Sequence, residues 1–62
     1  MDIRNLKKLQ KIHSQLENIC ATLENISDDE KETDPAAAEQ ILMYKDYIQT
    51  QTEELNEFIE EP

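Results

Sequence analysis

A repeated spacing of leucine and isoleucine between Leu9 and Ile26 limits what this chain can fold into more than any other feature. In the stretch LQKIHSQLENICATLENI, leucine and isoleucine alternate at steps of three and four residues. That spacing is a heptad pattern, which lines up the side chains along one side of an α-helix. The tetrapeptide Leu-Glu-Asn-Ile also occurs twice, starting at Leu16 and at Leu23. The repeat predicts a helix that packs against another helix.

A second helix is predicted from a strong start signal at Asp34. Asp34 suits the N-cap, Pro35 suits the first helical position, where its missing N–H is not needed, and three alanines follow. We expect helix 1 over residues 2–27 with Asp2 as its N-cap, an acidic loop over 28–34, and helix 2 over 35–60. The whole chain, 1–62, is predicted to be a single helical hairpin, because a short loop makes two long helices antiparallel neighbours.

The chain contains no glycine at all. Phosphate-binding loops, dinucleotide-binding folds and nucleophile elbows need glycine where the backbone takes a positive φ or approaches a ligand closely. Most glycine-dependent enzyme architectures are therefore excluded. The abundance of Leu, Ile, Glu, Gln and Lys, with few aromatic residues, is typical of an all-α protein.

A chain of 62 residues buries little apolar surface by itself and usually needs a further source of stability. Cys20 is the only cysteine, so a disulfide within the chain is excluded and oligomerisation remains. We therefore predict a hairpin that forms a homodimer, a four-helix bundle with coiled-coil-like packing. The predicted core and oligomer seam consists of Leu9, Ile12, Leu16, Ile19, Leu23, Ile26, Ile41, Tyr44, Ile48, Leu55 and Phe58.

Several residues next to this seam are ambiguous in the sequence. Leu6, His13 and Cys20 are spaced seven apart and are expected to widen the stripe of helix 1 on one flank. Gln51 and Thr52 interrupt the stripe of helix 2, which indicates either a rim facing water or a buried hydrogen-bonded layer.

The formal net charge is −9, from fifteen acidic and six basic residues. Affinity for nucleic acid or for anionic membrane comes largely from Lys and Arg, so neither is an expected partner. Residues 1–13 carry +3, whereas 14–34 and 35–62 each carry −6. Antiparallel folding is expected to place Lys7, Lys8 and Lys11 beside the glutamates near the end of helix 2.

No residue is predicted to be catalytic, to bind a cofactor or to ligate a metal. His13 and Cys20 are two helical turns apart, about 10 Å, which is too far for one ion or one hydrogen bond. The acidic segment 28–34 lacks the glycine of an EF-hand loop, and helix 2 has no histidine for a di-iron site. These carboxylates are expected to be solvated.

The sequence favours a small non-enzymatic protein–protein interaction module: a regulator, inhibitor or chaperone-like adaptor that acts through a helical surface. Met43 and Tyr47 lie off the centre of the stripe and are predicted to contact a partner, because Met and Tyr are favoured at interfaces. The alternative is an acidic mimic of nucleic acid that blocks a basic groove on a host or defence protein. The expected partners are a second copy of the chain and a protein target, in the cytoplasm.

Overall fold

Two long helices joined by a short loop make up the computed structural model, which describes residues 1–61. Helix α1 comprises Ile3–Glu30 and helix α2 comprises Pro35–Glu60. They pack side by side in a slender body of 47 × 14 × 10 Å. The predicted all-α antiparallel hairpin is confirmed. Pro62, the last residue of the predicted domain, lies outside the described residues.

Both helices begin with an aspartate cap. The Asp2 carboxylate accepts a hydrogen bond from the Arg4 amide at 2.8 Å, and the Asp34 carboxylate accepts one from the Ala37 amide at 3.2 Å. Each carboxylate thereby satisfies an amide that has no partner within its own helix. Pro35 occupies the first helical position of α2.

Helix α1 continues one turn beyond the end that the sequence predicted. It ends at Glu30, so the loop is residues 31–34 rather than 28–34. An ion pair of 2.9 Å between Lys31 and Asp28 supports this extra turn. The Glu30 carbonyl closes the loop by accepting from the amides of Thr33 and Asp34, at 3.2 and 2.7 Å.

Two cross-helix contacts define how α1 and α2 are aligned. The Ser27 hydroxyl donates to the Ala38 carbonyl at 2.8 Å, and the Cys20 thiol lies 4.0 Å from the Lys45 carbonyl. Both contacts join residues at the first heptad position, a, and they are seven residues apart on each helix. The same alignment therefore extends along the hairpin. The residues at positions a and d that face the other helix are Leu6, Leu9, His13, Leu16, Cys20, Leu23 and Ser27 on α1, with Ala38, Ile41, Lys45, Ile48, Thr52, Leu55 and Ile59 on α2.

Small side chains occupy the a positions nearest the loop. Ser27 and Ala38 are buried, with 0% and 3% of their surface exposed. A serine hydroxyl reaches the backbone of a neighbouring helix only where the two backbones are close. The expectation that Leu6, His13 and Cys20 lie at the flank of the stripe is corrected, since all three occupy position a of the interface itself.

Of the two polar residues that interrupt the stripe of α2, Gln51 and Thr52, one lies at the surface and the other in the interior. Gln51 is exposed, whereas Thr52 is buried and its hydroxyl donates to the Ile48 carbonyl of its own helix at 2.7 Å. No buried side-chain nitrogen or oxygen lacks a hydrogen-bond partner within residues 1–61. The interruption is thus neither a purely wet rim nor a cross-helix hydrogen-bonded layer.

Candidate functional site

One side of the hairpin carries large apolar side chains that no other part of the chain covers. Ile12, Ile19, Ile26, Tyr44 and Phe58 each expose between 43% and 66% of their surface. We refer to these five residues as the apolar face. They are the strongest candidate for a functional surface, because single scattered apolar residues are normal on a protein whereas large apolar side chains gathered on one side mark interaction sites.

The heptad positions explain why these residues share one side. Each member of the apolar face directly precedes a residue at position a and therefore occupies position g. In an antiparallel pair, the second helix is reversed both in direction and in the way it faces, so position g of both helices falls on the same side of the seam. The three isoleucines of α1 consequently form one row, and Tyr44 and Phe58 lie in a parallel row of α2 that the exposed Gln51 interrupts.

The predicted seam is divided between two surfaces. Its d residues, Leu9, Leu16, Leu23, Ile41, Ile48 and Leu55, lie half-buried between α1 and α2, and the other five form the apolar face. Tyr44 was expected in the core, but it is 66% exposed in the hairpin. The hairpin alone therefore covers only about half of the apolar stripe that the sequence contains.

Met43 and Tyr47 extend the exposed apolar surface around the outside of α2. They are the most exposed large apolar residues of this helix, at 71% and 70%. With Gln40 and Tyr44 they line a shallow depression of about 390 Å³. We call these four residues the tyrosine patch. Gln40 was not singled out in the sequence, although it precedes Tyr47 by one heptad and so lies in the same row.

The opposite side of the hairpin is polar. A groove of about 320 Å³ runs between the helices there. In it, His13 Nδ1 lies 3.2 Å from a carboxylate oxygen of Glu17, and Lys45 Nζ reaches outward to within 3.3 Å of the Asp46 carboxylate. The groove is lined by His13, Glu17, Cys20, Ala21, Glu24, Lys45, Gln49, Thr52 and Glu53.

This polar groove does not bring together the parts of a metal site. In the part of the chain that the structure describes, no three His, Cys, Asp or Glu side chains are grouped so that they could hold an ion. Cys20 is a free buried thiol whose nearest polar contact is a backbone carbonyl. His13 and the Glu17 carboxylate form a local pair one helical turn apart.

Charged side chains of the hairpin pair locally. Over residues 1–61, no ion pair within 4.0 Å joins Lys7, Lys8 or Lys11 to the glutamates of α2. Hydrogen bonds that Arg4 donates to the Asp2 carboxylate lower the pKa of Asp2, and the Asp28 carboxylate raises the pKa of Lys31. The expected pairing across the helices is therefore absent, and the basic start of α1 remains exposed.

The overall charge is concentrated at the loop end of the hairpin. Residues 24–39 include seven acids and one lysine, a net charge of −6. At the open end, the +3 of residues 1–13 lies beside the −5 of residues 50–61, which leaves −2. The hairpin is thus strongly acidic at one end and mixed in charge at the other.

Neither helix in residues 1–61 has the length and apolar character that a membrane crossing requires. Comparison of the chain with protein-family models, with curated proteins and with solved structures finds no match. The function must therefore be inferred from the surfaces of the hairpin.

Proposed function

We propose that this chain is a small non-enzymatic protein–protein interaction module that works as a homodimer. In this proposal, two hairpins join through their apolar faces to form a four-helix bundle, and the outer part of the tyrosine patch contacts a protein target. The observation that carries the proposal is the apolar face itself: two parallel rows of half-exposed apolar side chains on one side of the hairpin.

The energetics of covering the apolar face favour a long partner. Full burial of one such side chain contributes about 1.5–3 kcal/mol, so burying the exposed half of five residues contributes about 4–7 kcal/mol per hairpin. Association itself costs about 4–15 kcal/mol. A second hairpin covers both rows and contributes an equal face of its own, about 8–15 kcal/mol together. A short peptide would cover one row at most and would therefore gain less from burial than a second hairpin.

Met43 and Tyr47 support the second part of the proposal. Both are about 70% exposed in the hairpin; Met43 lies on the outer side of α2, and Tyr47 lies in the row next to the apolar face, at the rim of the proposed bundle. Aromatic and Met side chains are common anchors at interfaces, and a surrounding acidic rim selects among partners. A regulator, inhibitor or chaperone-like adaptor acts in this way. A cytoplasmic setting agrees with the single unpaired thiol of Cys20.

The molar mass in solution tests the dimer. We expect light scattering to give twice the 7.3 kDa of the chain at both about 0.05 M and about 1 M NaCl, with a helical circular dichroism spectrum. Burial of apolar surface survives added salt, so the mass should not fall. A poorly helical monomer would contradict the dimer and would make the stripe from Leu9 to Ile26 the binding site for another protein.

A photo-crosslinking residue at position 47 tests the target contact. We expect one protein to be captured from position 47 but not from the matched control position 18, which is exposed on the outside of α1. The captured protein, once purified, should bind the native chain. Tyr47→Ala should weaken that binding while leaving the mass and the helicity unchanged. Equal capture from both positions, or equal binding by the variant, would exclude this surface.

A second candidate function, the acidic mimic of nucleic acid, is favoured by the net charge of −6 at the loop end. In this function, the acidic end would bind a basic groove on a host or defence protein. Binding through charge falls steeply with added salt, whereas binding through apolar anchors largely persists. Measuring the affinity for the captured protein between about 0.1 and 0.5 M NaCl therefore separates the two functions.

A further inference from the structure

We infer that the second copy docks with its loop at the opposite end of the bundle, so that α1 packs antiparallel against α1 and α2 against α2. The two-fold axis then passes close to Ile19 and Tyr44. This inference rests on the proposed homodimer and adds to it the orientation of the two subunits. The charges of the two ends distinguish it from the alternative arrangement, and the spacing of the isoleucines and the position of Tyr44 along the hairpin are compatible with it.

Two symmetric arrangements bring the two apolar faces together. With the loops together, α1 of one subunit faces α2 of its partner; with the loops apart, each helix faces its own copy. All neighbouring helices are antiparallel in either case, so helix packing alone does not choose between them. The choice has to come from side chains that differ between the two arrangements.

The charges of the two ends favour loops that are apart. If the loops were together, the two loop ends, each with a net charge of −6, would lie side by side. With the loops apart, each loop end, with its net charge of −6, lies beside an open end whose net charge is −2. The first helical turns of α1 at that open end carry Arg4, Lys7, Lys8 and Lys11. These basic side chains are unpaired with α2 within their own hairpin, so they are available to the acidic end of a partner.

The isoleucine row of α1 is symmetric about Ile19. Ile12 precedes it by seven residues and Ile26 follows it by seven. An antiparallel copy of α1 therefore places Ile19 against Ile19 of the partner subunit and Ile12 against Ile26 of the partner subunit. The next row outward is complementary in the same alignment, because Lys8 then faces Asp29 of the partner subunit.

Tyr44 lies at nearly the same height along the hairpin as Ile19. The contacts of Ser27 with Ala38 and of Cys20 with Lys45 place residue 44 beside residue 21. At about 1.5 Å per residue, Tyr44 is only about 3 Å from the level of Ile19. One two-fold axis therefore serves both rows, and it brings Tyr44 against Tyr44 of the partner subunit.

The distance between the two loops tests this arrangement. A spin label is attached at Thr33→Cys in a Cys20→Ala background, and pulsed electron paramagnetic resonance measures the distance between labels in the dimer. Thr33 lies about 20 Å from the level of the axis, so we expect about 40 Å between the labels. A distance below about 25 Å would show that the loops are together and would overturn the inference while leaving the dimer intact.

A second label at Glu57→Cys, near the open end, provides the matched control. When protein labelled at Thr33 is mixed with protein labelled at Glu57, mixed dimers should give a distance below about 25 Å if the loops are apart, and about 40 Å if they are together. The distance between two Thr33 labels is therefore long in the arrangement in which the distance from Thr33 to Glu57 of the partner subunit is short, and the reverse holds in the other arrangement. A monomer with no dipolar signal at either site would instead contradict the proposed homodimer itself.

Discussion

Replacing Ile19 by alanine should weaken the dimer without removing the hairpin interface. Ile19 exposes 46% of its surface in the hairpin, and a second hairpin would bury that part. Because full burial of an isoleucine contributes about 1.5–3 kcal/mol, the exposed part contributes about 0.7–1.4 kcal/mol. A symmetric dimer contains two copies, so the loss is about 1.4–2.8 kcal/mol. The dissociation constant should therefore rise about 10- to 100-fold.

Sedimentation equilibrium over a range of concentrations measures this change, with helicity followed by circular dichroism on the same samples. Asn18→Ala is the matched control, since Asn18 is the adjacent residue of the same helix and is exposed on its outer side. Both substitutions introduce alanine, which favours the helix. The control should leave the dissociation constant within about fivefold, because a surface substitution changes stability by about 0.5 kcal/mol or less and the dimer contains two copies.

Equal dissociation constants for the two variants would refute the role of the apolar face in dimerisation. A dimer that resists Ile19→Ala must be joined through another surface, and the tyrosine patch and the outer face of α1 would then be the candidates. A larger loss than 100-fold would indicate that the separated hairpins also lose helix, which adds unfolding to the cost of separation.

Three further predictions concern the hairpin itself. Leu16→Asp should abolish the helical circular dichroism signal, because the carboxylate enters the interface at a cost of several kcal/mol, whereas the exposed control Asn18→Asp should not. Ser27→Ala should cost about 1 kcal/mol and lower the melting temperature by about 4–8 °C, and Ser27→Leu should lower it further, because leucine is too large for the close contact of the helices. Because the pKa of Asp2 is lowered in the folded state, its carboxylate cap stabilises α1 fully above pH 3.8, and this stabilisation is lost as the pH falls through the still lower pKa of the folded state. The Arg4 amide resonance in NMR should shift over that pH range, and Asp2→Asn should remove the shift.

Local signals in the sequence were sufficient to predict the hairpin. The caps at Asp2 and Asp34 and the alternating spacing between Leu9 and Ile26 act within a few residues, so they can be read without knowing what lies across the interface. The end of α1 was predicted one turn too early, because the residues that follow Ile26 are polar and mostly acidic. In the structure the Ser27 hydroxyl bonds to the Ala38 carbonyl, a partner that only the folded alignment supplies.

The centre of the interface could not be read from apolarity alone. Rows a, d and g of α1 adjoin one another, and the isoleucines of row g are more apolar than the His13, Cys20 and Ser27 of row a. Apolarity therefore favours d and g as the seam. The helices pack through a and d, and the small side chains at the a positions nearest the loop allow the close backbone approach that the contact between Ser27 and Ala38 shows.

This choice of rows explains why folding and dimerisation should be coupled. Within residues 1–61, the buried residues are Cys20, Ser27, Ala38 and Thr52, and all of them are small. Every large apolar side chain in the hairpin interface remains partly exposed, so the hairpin alone gains little from burial. A second hairpin on the apolar face would cover the neighbouring rows and so increase the burial of the d residues as well. In the proposed homodimer, burial of the row that the hairpin leaves exposed would therefore also help to keep the two helices together.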